Sequence, residues 1–320
     1  MDCLSRAKSR DGLWTRVRQF TVFLLSLLTV GIQQTVHGTP HDQVGVIVLA
    51  HGGSPDWNRV VTETVAHAQL PVPTEIVFGM GMHAQEVRHL QEAIDRLQQG
   101  GVDRIVAIPL LISSSSEVMR QYQYLLKLRT HGPWEQEAKP VTAARPIAMT
   151  PALDDDPAVA QVLSERVREV SRDPRNETVV IVAHGPTGAE DNHQWLAAMN
   201  RLAAEVKQLG SFRKVLPVTM RDDAPQAVQQ AATRKMRALV RHASQRGQVV
   251  VVPLLLANGG VEQKIPKRLE GLTYIYQSKA LLPHPALAQW LTNHVRTAVA
   301  LSHREIDVHQ ASLASTTPAD

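Results

Sequence analysis

The sequence predicts an α/β protein built from two similar units, each a parallel sheet flanked by helices, with a cleft between them. Three observations carry this. Apolar runs alternate with amphipathic stretches along most of the chain, the pattern of strands joined by crossover helices. Two of the apolar runs end alike, in "VGVIVLAHGG" (residues 44–53) and "TVVIVAHGP" (residues 178–186). Each is followed at a similar distance by a run broken by proline, "DRIVAIPLL" and "QVVVVPLLL": His51 to Pro109 is 58 residues and His184 to Pro253 is 69. Such self-similarity marks an internal duplication.

Each element has its own warrant. "VGVIVLA" lacks the polar alternation of a half-exposed strand, so it reads as buried on both faces. A helix is expected through "RVVTETVAHAQL", a strand in "TEIVFGM", and a helix over "AQEVRHLQEAIDRLQQG" with Gly100 as C-cap. "DRIVAIPLL" is the third strand. After Ser113–Ser116 a helix runs through "EVMRQYQYLLKLR", and "VTAARPIAM" is a fourth strand. The helix in "LDDDPAVAQVLSERVREV" takes Asp156 as N-cap and Pro157 as its first residue. The second half repeats the order with "TVVIVA", a helix from "AEDNHQWL" to Gly210, "FRKVLPVTM", a helix in "APQAVQQAATRKMRALVRHASQRG", and "QVVVVPLLL".

The boundary between the units falls near "RDPRNE", giving residues 39–172 and 173–303. Residues 304–320 are polar and read as a disordered tail. Residues 1–38 read as a signal peptide: a basic segment, the apolar run Phe20–Ile32, and Val36-His37-Gly38 as a small-residue cleavage site. Thirteen residues are short for a membrane span, although an uncleaved anchor is the alternative. A periplasmic or secreted protein is therefore expected, without a stable membrane span after cleavage. The only cysteine, Cys3, lies in this leader, so any metal must be held by imidazole, carboxylate or water. The net charge of +4 also resides mostly there, because the remainder carries 29 basic and 28 acidic residues. With scarce aromatics and no basic stripe, a nucleic-acid partner is excluded. A homo-oligomer is left open.

In open α/β sheets, ligands bind beyond the carboxyl ends of the strands. His51 and His184 fall at such ends, and Gly52 and Gly53 after the first let the backbone turn tightly and leave the imidazole unscreened. The alternative for either histidine is a core-edge side chain bonded to a backbone carbonyl. No G-x-G-x-x-G or G-x-x-x-x-G-K-[ST] occurs, so no nucleotide cofactor is expected. "HGGS" looks like an esterase oxyanion loop, but the G-x-S-x-G nucleophile elbow is missing. The loops after the third strands, "ISSSSEV" and "LANGGVEQKIPKRL", offer Glu117 and Glu262. Glu117 reads equally as the partner of Ser114 in a capping box, and Glu262 as a solvated helix residue. Lys264, Lys267 and Arg268 suit an acidic substrate, or a charged face in water.

The paired "LAHGG" and "VAHGP" ends, "GVDRIVAIPLL" and "VVVVPLLLANGGVEQKIPKRLEGL" resemble the sirohydrochlorin chelatase family, over roughly residues 44–290. The resemblance implies two Rossmann-like, chelatase-like units with the active site in the cleft, and insertion of Co²⁺, Fe²⁺ or Ni²⁺ into a tetrapyrrole without ATP. It implies His51 as metal ligand and proton acceptor, and His184 as its duplicate. Glu117 is then the catalytic carboxylate and a metal ligand, Glu262 a further ligand, and Gly52, Gly53, Ser115, Lys264 and Lys267 substrate contacts. The chain departs from the family pattern after the third strand, where relatives commonly carry another histidine. Ser115 stands there in the first half, and Gly260-Val261 with Gln263 in the second; His83 of "GMGMHAQ" is a possible recruit. That departure, with the export signal, keeps a second reading in view: a non-catalytic extracytoplasmic carrier of metal or tetrapyrrole.

Overall fold

Strands β1 (Val44–Ala50) and β5 (Thr178–Ala183) are buried at every residue, as their unbroken apolar composition requires of strands covered on both faces. They come from a computed structural model that describes residues 43–79 and 82–314, so the expected leader lies outside the described residues. β1 pairs with β2 (Thr74–Phe78) on one side and β3 (Arg104–Leu110) on the other, and β3 carries the short β4 (Ile147–Met149). In the second half β5 is likewise flanked by β6 (Lys214–Thr219) and β7 (Val249–Leu254), and β7 carries β8 (Ile275–Tyr276). Both sheets are wholly parallel, with matching orders β2-β1-β3-β4 and β6-β5-β7-β8. The expected fold class is thus observed.

The register repeats as well. Leu49 pairs with Pro109 and Val182 with Pro253, each one residue before the strand end that delivers a histidine. A proline offers no N–H to a ladder. Both prolines lie past the point where the outer strand stops: Thr150 N–H donates to Ala107 O at 3.0 Å, and Gln277 N–H to Val251 O at 2.9 Å, two residues before each proline.

The helices are α1 (Pro55–His67), α2 (Ala84–Gln99), α3 (Glu117–Leu125), α4 (Pro157–Arg168), α5 (Ala189–Gly210), α6 (Gln226–Ser244), α7 (Val261–Arg268) and α8 (Pro285–Ala314). α4 starts as expected, with Asp156 accepting from Ala158 N–H at 2.9 Å and Pro157 at the first position. α1 begins earlier than expected, because Ser54 Oγ accepts from Trp57 N–H at 3.2 Å. The expected capping box at α3 is not formed. Ser116 is the N-cap, accepting from Met119 N–H, while Ser114 turns to Asp154, to which its Oγ donates at 2.5 Å and its N–H at 2.8 Å. α8 runs on to Ala314, so residues 304–314 of the stretch expected as a tail are helical, and residues 315–320 lie outside the described residues.

Two helices cross between halves. α4 follows β4 but packs on α5 and β7; α8 follows β8 but packs on α1, β1 and β3. The result is one core between the sheets, joining Val46, Val48 and Ile108 to Leu163, Ile181, Leu202, Leu287 and Leu291. The outer face of each sheet has its own cluster, under α2 and α3 in the first half and under α6 and α7 in the second. Among the described residues no helix is long and apolar enough to cross a membrane.

Candidate functional site

The two histidine turns are built alike. Gly52 and Gly185 adopt φ of +79° and +77°, a conformation that side chains with a Cβ resist. A Cβ on Gly185 would also lie 2.6 Å from Thr219 Cβ, and one on Gly52 3.3 Å from Phe78 Cβ. The turn brings the glycine carbonyl back to the ring before it: His51 Nδ1 stands 3.0 Å from Gly52 O, and His184 Nδ1 3.1 Å from Gly185 O. A carbonyl only accepts, so Nδ1 carries the proton in each neutral ring and Nε2 presents its lone pair. This is the arrangement that orients metal-binding imidazoles.

The surroundings of the two rings differ. His51 keeps solvent access at the strand end, yet the protein around it pushes its pKa down, because a charged ring is costly to desolvate; nearby His184 pushes the same way. The Gly52 bond and the charges of Asp223 and Glu86 oppose this without overcoming it. His184 Nε2 faces Asp223 Oδ2 at 3.5 Å. His51, His184, Asp223 and Glu86 therefore share one electrostatic neighbourhood. One side of it is aromatic, with Trp57 at 6.4 Å from the His51 ring and Phe78 edge-on to Trp57.

Neither carboxylate expected from the sequence joins that group. Glu117 is exposed, and its Oε1 accepts from Trp134 Nε1–H at 3.2 Å. Glu262 is 7% exposed, and its carboxylate accepts from Gly259 and Gly260 N–H at 3.0 and 2.9 Å. It satisfies the open N-terminus of α7, which lacks a side-chain N-cap. Lys264 is committed to Asp222 at 2.6 Å, and Arg268 to Asp222 and to Met220 O. Lys267 borders a surface hollow of about 480 Å³ lined also by Gln263, Glu270 and Tyr276, and by neither histidine. Gly53 N–H donates to Asn58 Oδ1 at 2.9 Å. Ser115 Oγ donates across the halves to Gln194 Oε1 at 3.0 Å. His83 is the exposed N-cap residue of α2.

The carboxylates whose charge acts on His51 follow the second strands. Glu86 is in the first turn of α2, and one of its carboxylate oxygens is buried with no hydrogen-bond partner. Asp223 lies in the equivalent connection after β6. Arg221 holds that connection to the His184 turn: its N–H donates to His184 O at 2.7 Å, and its guanidinium to Pro186 O and Thr187 O. Asp222, 7% exposed in its side chain, pins the other side through Lys264 and Arg268. The signal was in "TMRDDAP", which follows a strand end as "AHGP" does. Among the described residues no three His, Cys, Asp or Glu side chains form a group able to hold a metal ion. An ion brought here must complete its coordination with water or with the molecule that receives it.

Fold and site define a class: α/β proteins with two wholly parallel sheets and duplicated histidines at the sheets' carboxyl ends. The family model described as CbiX matches twice, over residues 45–170 and 178–298, and the chain belongs to that family. Similar curated proteins are about half its length. The sirohydrochlorin cobaltochelatase of Methanosarcina barkeri is 23% identical over 128 residues, 40% of this chain and 97% of that one. That of Methanopyrus kandleri is 23% identical over 139 residues, 39% of this chain and 96% of its own. Among solved structures, SirB from Bacillus subtilis with Fe³⁺ aligns with a TM-score of 0.58 at 15% identity, over 81% of this chain and 97% of that one. CbiX, titled the terminal enzyme for biosynthesis of siroheme in denitrifying bacteria, aligns with a TM-score of 0.50 at 15% identity, over 80% and 99%. Both show the same fold.

Proposed function

We propose that the protein is a metal chelatase that inserts Co²⁺, Fe²⁺ or Ni²⁺ into a sirohydrochlorin-like tetrapyrrole without nucleotide. The observation that carries this is the tautomer fixed by the Gly52 carbonyl, which leaves His51 Nε2 as a lone pair at the strand end. The depressed pKa keeps that lone pair free near neutral pH. The chelatase relatives support the substrate class.

Insertion exchanges one divalent ion for two pyrrole protons. His51 Nε2 has a single lone pair, so it cannot hold the ion and take a proton together. The two roles follow in sequence: Nε2 presents the ion, the macrocycle nitrogens take it, and the vacated Nε2 accepts a proton. The second proton goes to the His184–Asp223 pair or to Glu86, the carboxylates whose charge reaches His51. This gives Glu86 and Asp223 the part that sequence reasoning gave Glu117.

One observation favours the carrier reading. Ser115 stands where the resemblance implies a histidine, and it spends its hydroxyl on Gln194. A carrier would bind ion or macrocycle without speeding their union. Export of the mature protein is part of the same proposal and rests on the composition of residues 1–38. The test is anaerobic incubation with sirohydrochlorin and Co²⁺, followed by absorbance. Insertion faster than the protein-free rate supports the chelatase; binding without acceleration supports the carrier.

A further inference from the structure

Resting on the tetrapyrrole reading of the cleft, we propose that Arg120 binds a carboxylate of the macrocycle, and that Asp191 is the carboxylate it exchanges for the substrate's. Arg120 and Asp191 come from opposite halves and meet as a two-pronged pair, Nη1 to Oδ1 and Nη2 to Oδ2, both at 2.7 Å. That planar geometry is how a guanidinium grips any carboxylate. Arg120 lies in the first turn of α3, just past the Ser113–Ser116 loop, and Asp191 in the first turn of α5, seven residues after His184. The pair therefore joins the helices that follow the carboxyl ends of β3 and β5, the ends at which His51 and His184 also stand.

Two features make the pair exchangeable. Its side chains are 30% and 16% exposed, so an incoming carboxylate can reach the guanidinium. Asp191 also has somewhere else to place its charge. It is the third residue of α5, whose N-cap Gly188 supplies no side-chain acceptor for the free N–H groups. An acidic residue in that turn is stabilised by those groups. Arg268 has no such freedom, because Asp222 is 7% exposed and already shared with Lys264. Nor has Arg221, tied to backbone carbonyls. The equivalent contact between the loop after β7 and the first turn of α1 is apolar, with Gly259 against the Trp57 indole. Arg201 also pairs across the halves, with Asp155, but it lies in the middle of α5, twelve residues from the start of that helix.

The test is fluorescence titration of the whole protein with uroporphyrin, which bears eight carboxylates, and with tetra(N-methylpyridyl)porphyrin, which bears none. Arg120→Gln should weaken uroporphyrin binding about 10-fold or more while leaving the cationic porphyrin unchanged. Arg120→Lys keeps the charge without the fork and should fall between. Asp191→Asn removes the competing carboxylate and should tighten uroporphyrin about threefold. If Asp191→Asn weakens uroporphyrin as Arg120→Gln does, or if both variants weaken both porphyrins alike, the pair is a structural clasp and the proposal is wrong. If the wild-type protein binds neither porphyrin, the tetrapyrrole reading itself fails and the proposal falls with it.

Discussion

His184 Nε2 stands 3.5 Å from Asp223 Oδ2, and the same carboxylate acts on His51 from the neighbouring turn. Duplication produced two equivalent turns, and the residues after β6 have since made them unequal. His184 has a carboxylate facing its Nε2, which pairs with it when that nitrogen carries a proton. His51 keeps its own open beside the aromatic wall of Trp57.

The turns should respond differently to a methyl group. Gly185→Ala meets both the +77° backbone and Thr219 Cβ at 2.6 Å, and should cost about 2–4 kcal/mol. Gly52→Ala, with its nearest contact at 3.3 Å, should cost about 1 kcal/mol. Urea denaturation of both variants checks the order. A larger loss at Gly52 would contradict this account of the turns.

The depressed His51 pKa has a consequence for pH. Its ordinary value is 6.5, and burial lowers it in the folded chain. As pH falls, the unfolded chain takes up the proton first. The stability tied to neutral His51 is therefore complete above about pH 6.5 and is lost as pH falls toward the folded value. His294, lowered by burial within α8, adds in the same direction. NMR titration of the His51 ring in metal-free protein should give a midpoint below 6.5; a midpoint above it removes the basis for an open lone pair at neutral pH.

The two glutamates separate cleanly. Glu86→Gln should slow insertion about 10-fold, because a carboxylate beside His51 is lost. Glu117→Gln keeps an oxygen for the Trp134 indole and should leave insertion within about twofold. Initial rates with Co²⁺ decide between them. A larger loss at Glu117 would return the catalytic carboxylate to the β3–α3 loop.

Much of this fold was legible in the chain. Uninterrupted apolar runs gave β1, β5 and β7, and "DDDP" gave the start of α4 through its cap and proline. The duplicated His-Gly sequences marked the ends of β1 and β5, where both histidines stand. What the pattern could not supply was tertiary. β8 is two residues long, too short for any periodicity, and α8 was not read as a helix. The exchange of α4 and α8 leaves no mark in either helix's own amphipathicity, which needs only an apolar surface to bury. Glu262 and Lys264 are candidate site residues because they follow a strand end. Which partner each one takes, Gly259 and Gly260 N–H or Asp222, depends on contacts that linear spacing does not encode. Nothing in the spacing of Glu86 or Asp223 sets them apart from other acidic residues near a helix start; only the tertiary structure brings their charge to His51.

The central claim is that His51 delivers metal to a tetrapyrrole between the two halves. The most direct measurement is the anaerobic rate of Co²⁺ insertion into sirohydrochlorin, taken beside Co²⁺ and tetrapyrrole binding, for wild type and His51→Ala. The ring is solvent-accessible, so the variant should fold. Wild type should accelerate insertion, and His51→Ala should lose about 10²-fold or more of that rate while still binding the tetrapyrrole. Wild-type protein that binds but never accelerates insertion, or a His51→Ala variant that inserts at the wild-type rate, would contradict the account.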